Sequence, residues 1–128
     1  MIVVETSAIV AVLFDELEAS AFEIVIAEND ARLPVACYVE AALALRHRGY
    51  ALELLRDYLA SAEISLLGSD DRQARIAAEA DRRYGRGTGH PARLNFGDCL
   101  AYGAAVAHDA PLLFKGDDFA RTDVRRAV

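Results

Sequence analysis

Four carboxylates occupy positions where folding alone gives little reason for an acid. Glu5 ends an apolar run, and Glu40 lies inside an apolar helical stretch. Asp98 stands in the segment Asn-Phe-Gly-Asp-Cys-Leu, and Asp117 follows a Lys-Gly pair. A carboxylate that leaves water must be paired with a cation or bound to a metal ion, because an isolated buried charge is costly. The four acids therefore predict a cation site, provided that the fold brings them together.

The chemistry of the candidate ligands indicates which cation would bind. The set contains neither histidine nor cysteine, and oxygen ligands favour Mg²⁺ or Mn²⁺ over zinc. Such a cation polarises a phosphoryl oxygen and lowers the pKa of a water that attacks phosphorus. The predicted reaction is hydrolysis of a phosphodiester bond. The predicted metal ligands and catalytic residues are Glu5, Glu40, Asp98 and Asp117.

Polar neighbours of the acids are candidates for supporting roles. The hydroxyls of Thr6 and Ser7 can orient the preceding carboxylate or a water molecule. Asn95 followed three residues later by Asp98 resembles a capping box, in which the acid satisfies backbone N–H groups at a helix start. Asp98 can therefore hold a cap, a cation or both, and Asn95 can support it.

The other acids also have structural alternatives. Glu5 is compatible with a solvent-facing acid at a strand end, and Glu40 with a salt bridge to a distant part of the chain. Asp117 and Asp118 are compatible with a turn in which aspartates bind their own backbone. We prefer Asp117 over its supporting neighbour Asp118 by a narrow margin.

Short apolar runs alternate with helical patterns along the chain, and these elements must position the acids. The predicted strands are 2–4, 31–34, 64–67 and 112–114, with a weaker one near Val124, and 31–34 is short enough for an edge strand. The predicted helices are 8–14, 15–27, 35–48, 50–62, 70–84 and 95–108, with an irregular loop at 85–91. This alternation predicts an α/β fold with a mostly parallel sheet covered on both faces. Parallel strands gather their carboxyl ends at one edge, where scattered acids can meet.

The bulk composition narrows the class of protein. With 128 residues, the chain is expected to form a single domain, residues 1–128, with a core that needs no disulfides. Its apolar runs fall short of the roughly 20 residues of a membrane span, and its start lacks the basic segment of a signal peptide. We therefore expect a cytoplasmic protein without membrane contact. The two cysteines, Cys37 and Cys99, are predicted to be buried free thiols.

The net charge of −6 argues against a general nucleic-acid coat protein, but the charge is unevenly spread. Residues 1–31 contain seven acids and neither lysine nor arginine, whereas arginines cluster between residues 72 and 93. A solvated helix face explains such a cluster as well as phosphate binding does. The candidates for RNA phosphate binding are Arg82, Arg83, Arg86, Arg93 and Lys115.

Several motifs together resemble one family. Val-Glu-Thr-Ser-Ala-Ile at 4–9, the mid-helix Glu40, Leu-Asn-Phe-Gly-Asp-Cys-Leu-Ala-Tyr at 94–102 and Leu-Phe-Lys-Gly-Asp-Asp-Phe at 113–119 resemble PIN-domain ribonucleases, specifically VapC-type toxins of type II toxin–antitoxin pairs. The resemblance spans nearly the whole chain in the right order. It implies a three-layer α/β/α fold and Mg²⁺- or Mn²⁺-dependent endoribonuclease activity on tRNA or rRNA. It also implies a homodimer or a toxin–antitoxin hetero-oligomer, and inhibition by a VapB-like antitoxin.

One residue departs from the family pattern. The first acid of these proteins is normally aspartate, whereas this chain has Glu5, whose extra methylene moves the carboxylate. A misplacement of about 1 Å can cost about 100-fold in rate. One alternative is therefore a catalytically impaired module that binds its antitoxin or RNA without cleavage. Another is a metal-dependent hydrolase of DNA or of a small phosphate ester. Residues 15–27 and 50–62 are candidate dimer or antitoxin surfaces.

Overall fold

The fold is built around four parallel strands in the spatial order β3-β2-β1-β4. The computed structural model describes residues 1–128. The strands are β1 (Ile2–Val4), β2 (Ala31–Pro34), β3 (Ser65–Leu67) and β4 (Leu112–Leu113). The helices are α1 (Thr6–Leu13), α2 (Ala19–Ala27), α3 (Val35–His47), α4 (Leu52–Ser61), α5 (Asp71–Tyr84) and α6 (Phe96–Ala107), followed by a 3₁₀ turn at Phe119–Arg121. The predicted α/β class with a parallel sheet is confirmed.

Helices cover both faces of this sheet. The chain moves in one direction from β1 through β2 to β3 and then returns to the far side of β1 to form β4. Because crossovers between parallel strands are right-handed, the connections before and after this reversal lie on opposite faces. Helices α1 to α4 therefore cover one face, and α5 and α6 cover the other. This is the predicted three-layer α/β/α arrangement, and the reversal places a crevice at the carboxyl ends of β1 and β4.

The burial of β1 and β2 agrees with their central positions in the sheet. All three residues of β1 are buried, as expected for a continuous apolar strand between two neighbours. The expectation that residues 31–34 form an edge strand is wrong, because β2 lies between β1 and β3. Its only charged residue, Arg32, turns its guanidinium outward to Asp30 at 2.8 Å, while Leu33 is fully buried.

Several boundaries differ from the sequence prediction for local reasons. Helix α1 begins at Thr6, two residues early, because the Glu5 side chain caps it. Helix α2 begins at Ala19, since Asp15 adopts a left-handed conformation with φ 51° that interrupts a helix. The weak strand near Val124 is reduced to a single parallel bridge between Leu112 and Arg126. None of the helices combines the length and apolar character needed to cross a lipid bilayer.

Candidate active site

Glu5 lies at the carboxyl end of β1 and is only 5% exposed. Its carboxylate accepts hydrogen bonds from the backbone N–H of Ser7 at 2.8 Å and from the Ser7 hydroxyl. The Ser7 hydroxyl in turn accepts a bond from the backbone N–H of Lys115 at 2.9 Å, which ties the end of β4 to the same group. Burial raises the pKa of Glu5 to about 7; the Ser7 hydrogen bonds oppose this rise, and the charges of Asp98 and Glu40 add to it. No cationic side chain balances this carboxylate.

Glu40 projects from the middle of α3 towards the same edge. Its Oε1 accepts a hydrogen bond from the Thr6 hydroxyl at 2.7 Å, so the start of α1 orients it. The carboxylate also rests against Gly97 in the first turn of α6, where an added Cβ would lie only 2.8 Å from the Glu40 Cδ. The absence of a side chain at Gly97 therefore lets α6 approach α3 at this point. The alternative of a salt bridge for Glu40 is not realised in the structure.

Asp98 has both of the contacts expected for a capping box. Its Oδ2 accepts from the backbone N–H of Asn95 at 2.9 Å, and its own N–H donates to Asn95 Oδ1 at 2.8 Å. Partial burial raises the pKa of Asp98, and the charges of Asp118 and Glu40 raise it further, while Arg86 lowers it. The cap uses one carboxylate oxygen and leaves the other available to the cluster.

The fourth acid is a choice between two neighbours in the exposed turn after β4. Asp118 is one of the charges that raise the pKa of Asp98, and it stands directly before the 3₁₀ turn. Asp117 makes no hydrogen bond or salt bridge. The charge of Asp118 therefore acts on Asp98, and the choice of Asp117 as the fourth acid stays a prediction.

Cys37 lies next to Glu5 and Glu40, a position that was not predicted from the sequence. Its Sγ and one carboxylate oxygen each of Glu5 and Glu40 lie within 4.8 Å of one another. Burial raises the pKa of the Cys37 thiol to about 12, and the Glu5 charge adds to the rise. The prediction of two buried free thiols is confirmed. The spacing of three residues from Glu40, which places both side chains on one helix face, was the available signal.

The cations predicted to bind RNA fall into two groups. Lys115 is held by Glu16 at 2.7 Å and Glu18 at 3.1 Å. On α5, Arg82 pairs with Glu79, while Arg83 lies 3.5 Å from Asp123 and stacks over the Tyr84 ring. Arg86 and Arg93 form no salt bridge, and both are exposed. A hydrogen bond from Arg86 Nε to the Arg93 carbonyl at 3.3 Å links these two arginines.

The donor set fits a hard divalent cation. Glu5, Glu40 and Asp98 converge at the carboxyl edge with Asp118 beside them, and none of the four takes part in a salt bridge. Carboxylates that share a site without a counter-charge repel one another, and an oxygen-ligated cation relieves that repulsion. The arrangement therefore suits metal-assisted chemistry on a phosphate ester.

Comparison with known proteins agrees with this geometry. The family model described as "PIN domain" matches residues 2–125. The chain is 43% identical over 129 residues to VapC ribonuclease Mb0625 of Mycobacterium bovis and to Ribonuclease VapC28 of Mycobacterium tuberculosis, covering 98% of this chain and 97% of each relative. It is 42% identical to Ribonuclease VapC42 of Mycobacterium tuberculosis over 98% of both chains. The chain therefore belongs to the PIN-domain family and, within it, to the VapC group.

Proposed function

We propose that this protein is a divalent-metal-dependent endoribonuclease that acts as the toxin of a toxin–antitoxin pair and cuts tRNA or rRNA. The observation that carries the proposal is the convergence of Glu5, Glu40 and Asp98, none of which forms a salt bridge, at the carboxyl edge of the sheet. The relatives in the VapC group are named ribonucleases, which supports RNA as the substrate.

In this proposal Glu5, Glu40 and Asp98 hold Mg²⁺ or Mn²⁺, with Asp118 or Asp117 as the fourth acid. When bound, the cation polarises the phosphoryl oxygen and lowers the pKa of the attacking water. The whole chain serves as one catalytic domain.

The surrounding residues keep the ligands in position. Thr6 donates to Glu40 and Ser7 donates to Glu5, so each carboxylate keeps one oxygen fixed and directs the other to the cluster. Asn95 fixes Asp98 through the cap. Arg86, whose charge acts on Asp98, is placed to neutralise an RNA phosphate at the rim. Fixed ligands of this kind reduce the rearrangement that the reaction requires.

A toxin of this kind requires a silencing partner. We propose a VapB-like antitoxin that places an arginine against the acidic cluster, because a guanidinium and a divalent cation compete for the same carboxylates. Helices α2 and α4 are the candidate surfaces for this antitoxin or for a homodimer. Because its RNA substrates are cellular, we place the enzyme in the cytoplasm.

The test is cleavage of total RNA by the purified chain with Mg²⁺ or Mn²⁺, beside a sample in EDTA. Asp98→Asn should abolish cleavage, because the amide keeps the shape of the side chain and removes the ligand charge. Asp71→Asn, an exposed acid at the start of α5, is the matched control and should cut at the normal rate. Full activity of Asp98→Asn would refute the assignment of the site.

A further variant separates the remaining alternatives. If the chain is silent and Glu5→Asp restores cleavage, the extra methylene has disabled the enzyme and binding is the remaining function. Cleavage of DNA or of p-nitrophenyl phosphate without cleavage of RNA would indicate a different phosphoryl hydrolase. We expect cleavage of RNA by the chain with Glu5 in place.

A further inference from the structure

Phe96 is the most exposed aromatic side chain of the protein. Its ring is 82% exposed at the first position of α6, two residues before Asp98. The other four phenylalanines are buried or half-buried, and three of them stack against another aromatic ring of the core or its margin. One exposed ring alone carries no functional meaning, but Phe96 also belongs to an apolar groove.

The Phe96 ring borders a groove of about 480 Å³ between α5 and α6. Phe96, Cys99 and Leu100 share one face of α6, as residues three and four apart do on a helix. The α5 side of the groove is formed by small side chains, Ala74, Ala77 and Ala78. The result is a shallow apolar slot that opens at the first turn of α6.

The charge that lines this slot favours binding of a base over binding of a phosphate. Asp81 is the only charged residue that lines it, and its carboxylate makes no hydrogen bond or salt bridge in the protein. A phosphate would be repelled there, whereas a base carries N–H groups that can donate to such an acceptor. Arg86 does not line the slot, and its positive charge lowers the pKa of Asp98.

We propose that Phe96 stacks against a nucleobase of the RNA next to the scissile phosphate; this rests on the function proposed above. The ring and the Asp98 carboxylate both belong to the first turn of α6, which rises about 5.4 Å. Residues two apart on a helix point in different directions, so the RNA strand must pass over the first turn of α6 for one phosphate to reach the acids and an adjoining base to reach Phe96. Aromatic platforms of this kind bind single-stranded RNA because every base has a flat face. Phe96 positions the substrate and takes no part in bond breaking.

The chain contains no tryptophan, so a single substitution creates a unique fluorescent probe. Phe96→Trp in the inactive Asp98→Asn background would be titrated with 12-nucleotide single-stranded RNAs in Mg²⁺. Stacking should quench the tryptophan emission, and inorganic polyphosphate, which has no bases, should not. Tyr50→Trp in the same background is the matched control, because Tyr50 is 53% exposed but lies beyond the C-terminal end of α3. Quenching of both probes, or of neither, would overturn the proposal.

Kinetics of the active chain give an independent readout. Phe96→Ala should raise KM for RNA about 10- to 100-fold, the range expected for one stacked base, and leave kcat nearly unchanged. Phe96→Tyr should have the normal KM because tyrosine keeps the flat ring. Phe96→Leu should have a raised KM, since leucine keeps the apolar contact without the flat ring. If the slot instead docks a protein chain, Phe96→Ala would lower the oligomeric mass or antitoxin affinity and leave KM unchanged, which would overturn the proposal.

The two arms also separate this inference from the proposed function. Quenching by RNA in a protein that cuts no RNA would support the platform and count against the nuclease. Cleavage of RNA with no quenching and no effect of Phe96→Ala would support the nuclease and remove the platform.

Discussion

Acids on helix α5 and acids at the carboxyl edge of the sheet are neutralised in opposite ways. On α5, Asp71 bonds to Arg75 at 2.7 Å, and the hydrogen bond from Arg82 lowers the pKa of Glu79. At the edge, burial raises the pKa of Glu5 and of Asp98, and their hydrogen-bond donors are only hydroxyl and amide groups. Acids on α5 therefore form salt bridges with arginine, whereas the acids at the sheet edge form none, and Arg86 acts on Asp98 without a salt bridge.

The same contrast holds for the rest of the surface. Further acids in salt bridges are Glu16, Glu18, Asp30, Asp109 and Asp123. Surface pairs contribute little to stability, and a buried carboxylate without a counter-charge costs free energy. The uncompensated charge at the sheet edge is therefore a cost to folding that an external cation would offset.

Among changes beside the acids, the largest effect is expected from Gly97→Ala, which adds a side chain between α6 and α3. Alanine favours a helix by up to about 1 kcal/mol over glycine, but the added Cβ would lie 2.8 Å from the Glu40 Cδ. Glu40 must move, and we expect cleavage to fall about 100-fold or more, as for a misplaced catalytic group. The measurements are kcat/KM for RNA, which should fall, and the thermal midpoint of unfolding, which should change little.

Two other glycines serve as controls for that experiment. Gly68→Ala meets no atom within 4 Å and should leave both quantities unchanged. Gly103→Ala would place a Cβ 2.6 Å from the Gln73 carbonyl oxygen, between α6 and α5, so it should lower stability. If Gly97→Ala keeps its full cleavage rate, the position of Glu40 does not matter to the chemistry and the contrast between the two regions loses its functional meaning.

The second effect is the pH dependence of stability in EDTA. The pKa of Glu5 is about 7 in the folded protein and 4.5 in its ordinary range, so the folded state binds the proton more tightly. Glu5 therefore favours folding most below pH 4.5, and this contribution is lost as pH rises through 7. The full loss is on the order of 3 kcal/mol as an upper bound, and the raised pKa of Asp98 adds a change of the same sign.

Glu5→Gln removes the Glu5 part of this dependence. We expect the variant to be more stable than the natural chain at pH 8 and about equal at pH 4, measured by denaturant unfolding. Mg²⁺ should stabilise the natural chain at pH 8 and the variant much less. Identical pH profiles of the two proteins would mean that the Glu5 carboxylate is not destabilised by its burial.

A smaller effect is expected from Thr6→Val, which keeps the shape of the side chain and removes its hydroxyl. The Glu40 carboxylate then loses its 2.7 Å hydrogen bond and gains freedom to rotate. Loss of such a supporting bond typically lowers metal affinity about 10- to 100-fold, and we expect the lower part of that range. Calorimetric titration with Mn²⁺ measures it, with Ser61→Ala as a control, since that hydroxyl donates to the Tyr58 carbonyl at the end of α4. Unchanged affinity would show that α3 alone orients Glu40.

Some of this site could be predicted from the sequence, because strand and helix patterns report where an acid stands along an element. The positions of Glu5 after β1 and of Asp98 in a capping box followed from such local signals. The sequence did not reveal that Asp118 acts on Asp98, because the turn after β4 is directed by Gly116 at φ 99°. Contacts between residues far apart in the chain could not be predicted either.

Lys115 is the clearest example of such a hidden contact. It follows β4 and was predicted to bind phosphate, yet its ammonium lies between Glu16 and Glu18, about a hundred residues earlier in the chain. Pairing of this kind depends on which loops meet at the sheet edge, and no local pattern encodes it. The approach of Arg86 to Asp98 has the same origin, since it depends on closure of the loop by the 3.1 Å bond from the Arg86 N–H to the Leu94 carbonyl.

The smallest effect is predicted for the α5 pair itself. Asp71 and Arg75 are 80% and 78% exposed, so water already solvates both charges and their contact adds little. Arg75→Ala should leave the thermal midpoint, the cleavage rate and Mn²⁺ affinity within measuring error, and added salt should not change that result. If Arg75→Ala lowers stability as much as Glu5→Gln raises it at pH 8, then the surface pairs contribute measurably to the free energy of unfolding. The two regions would then differ in the sign of the charge that each acid faces and not in the size of its effect on stability.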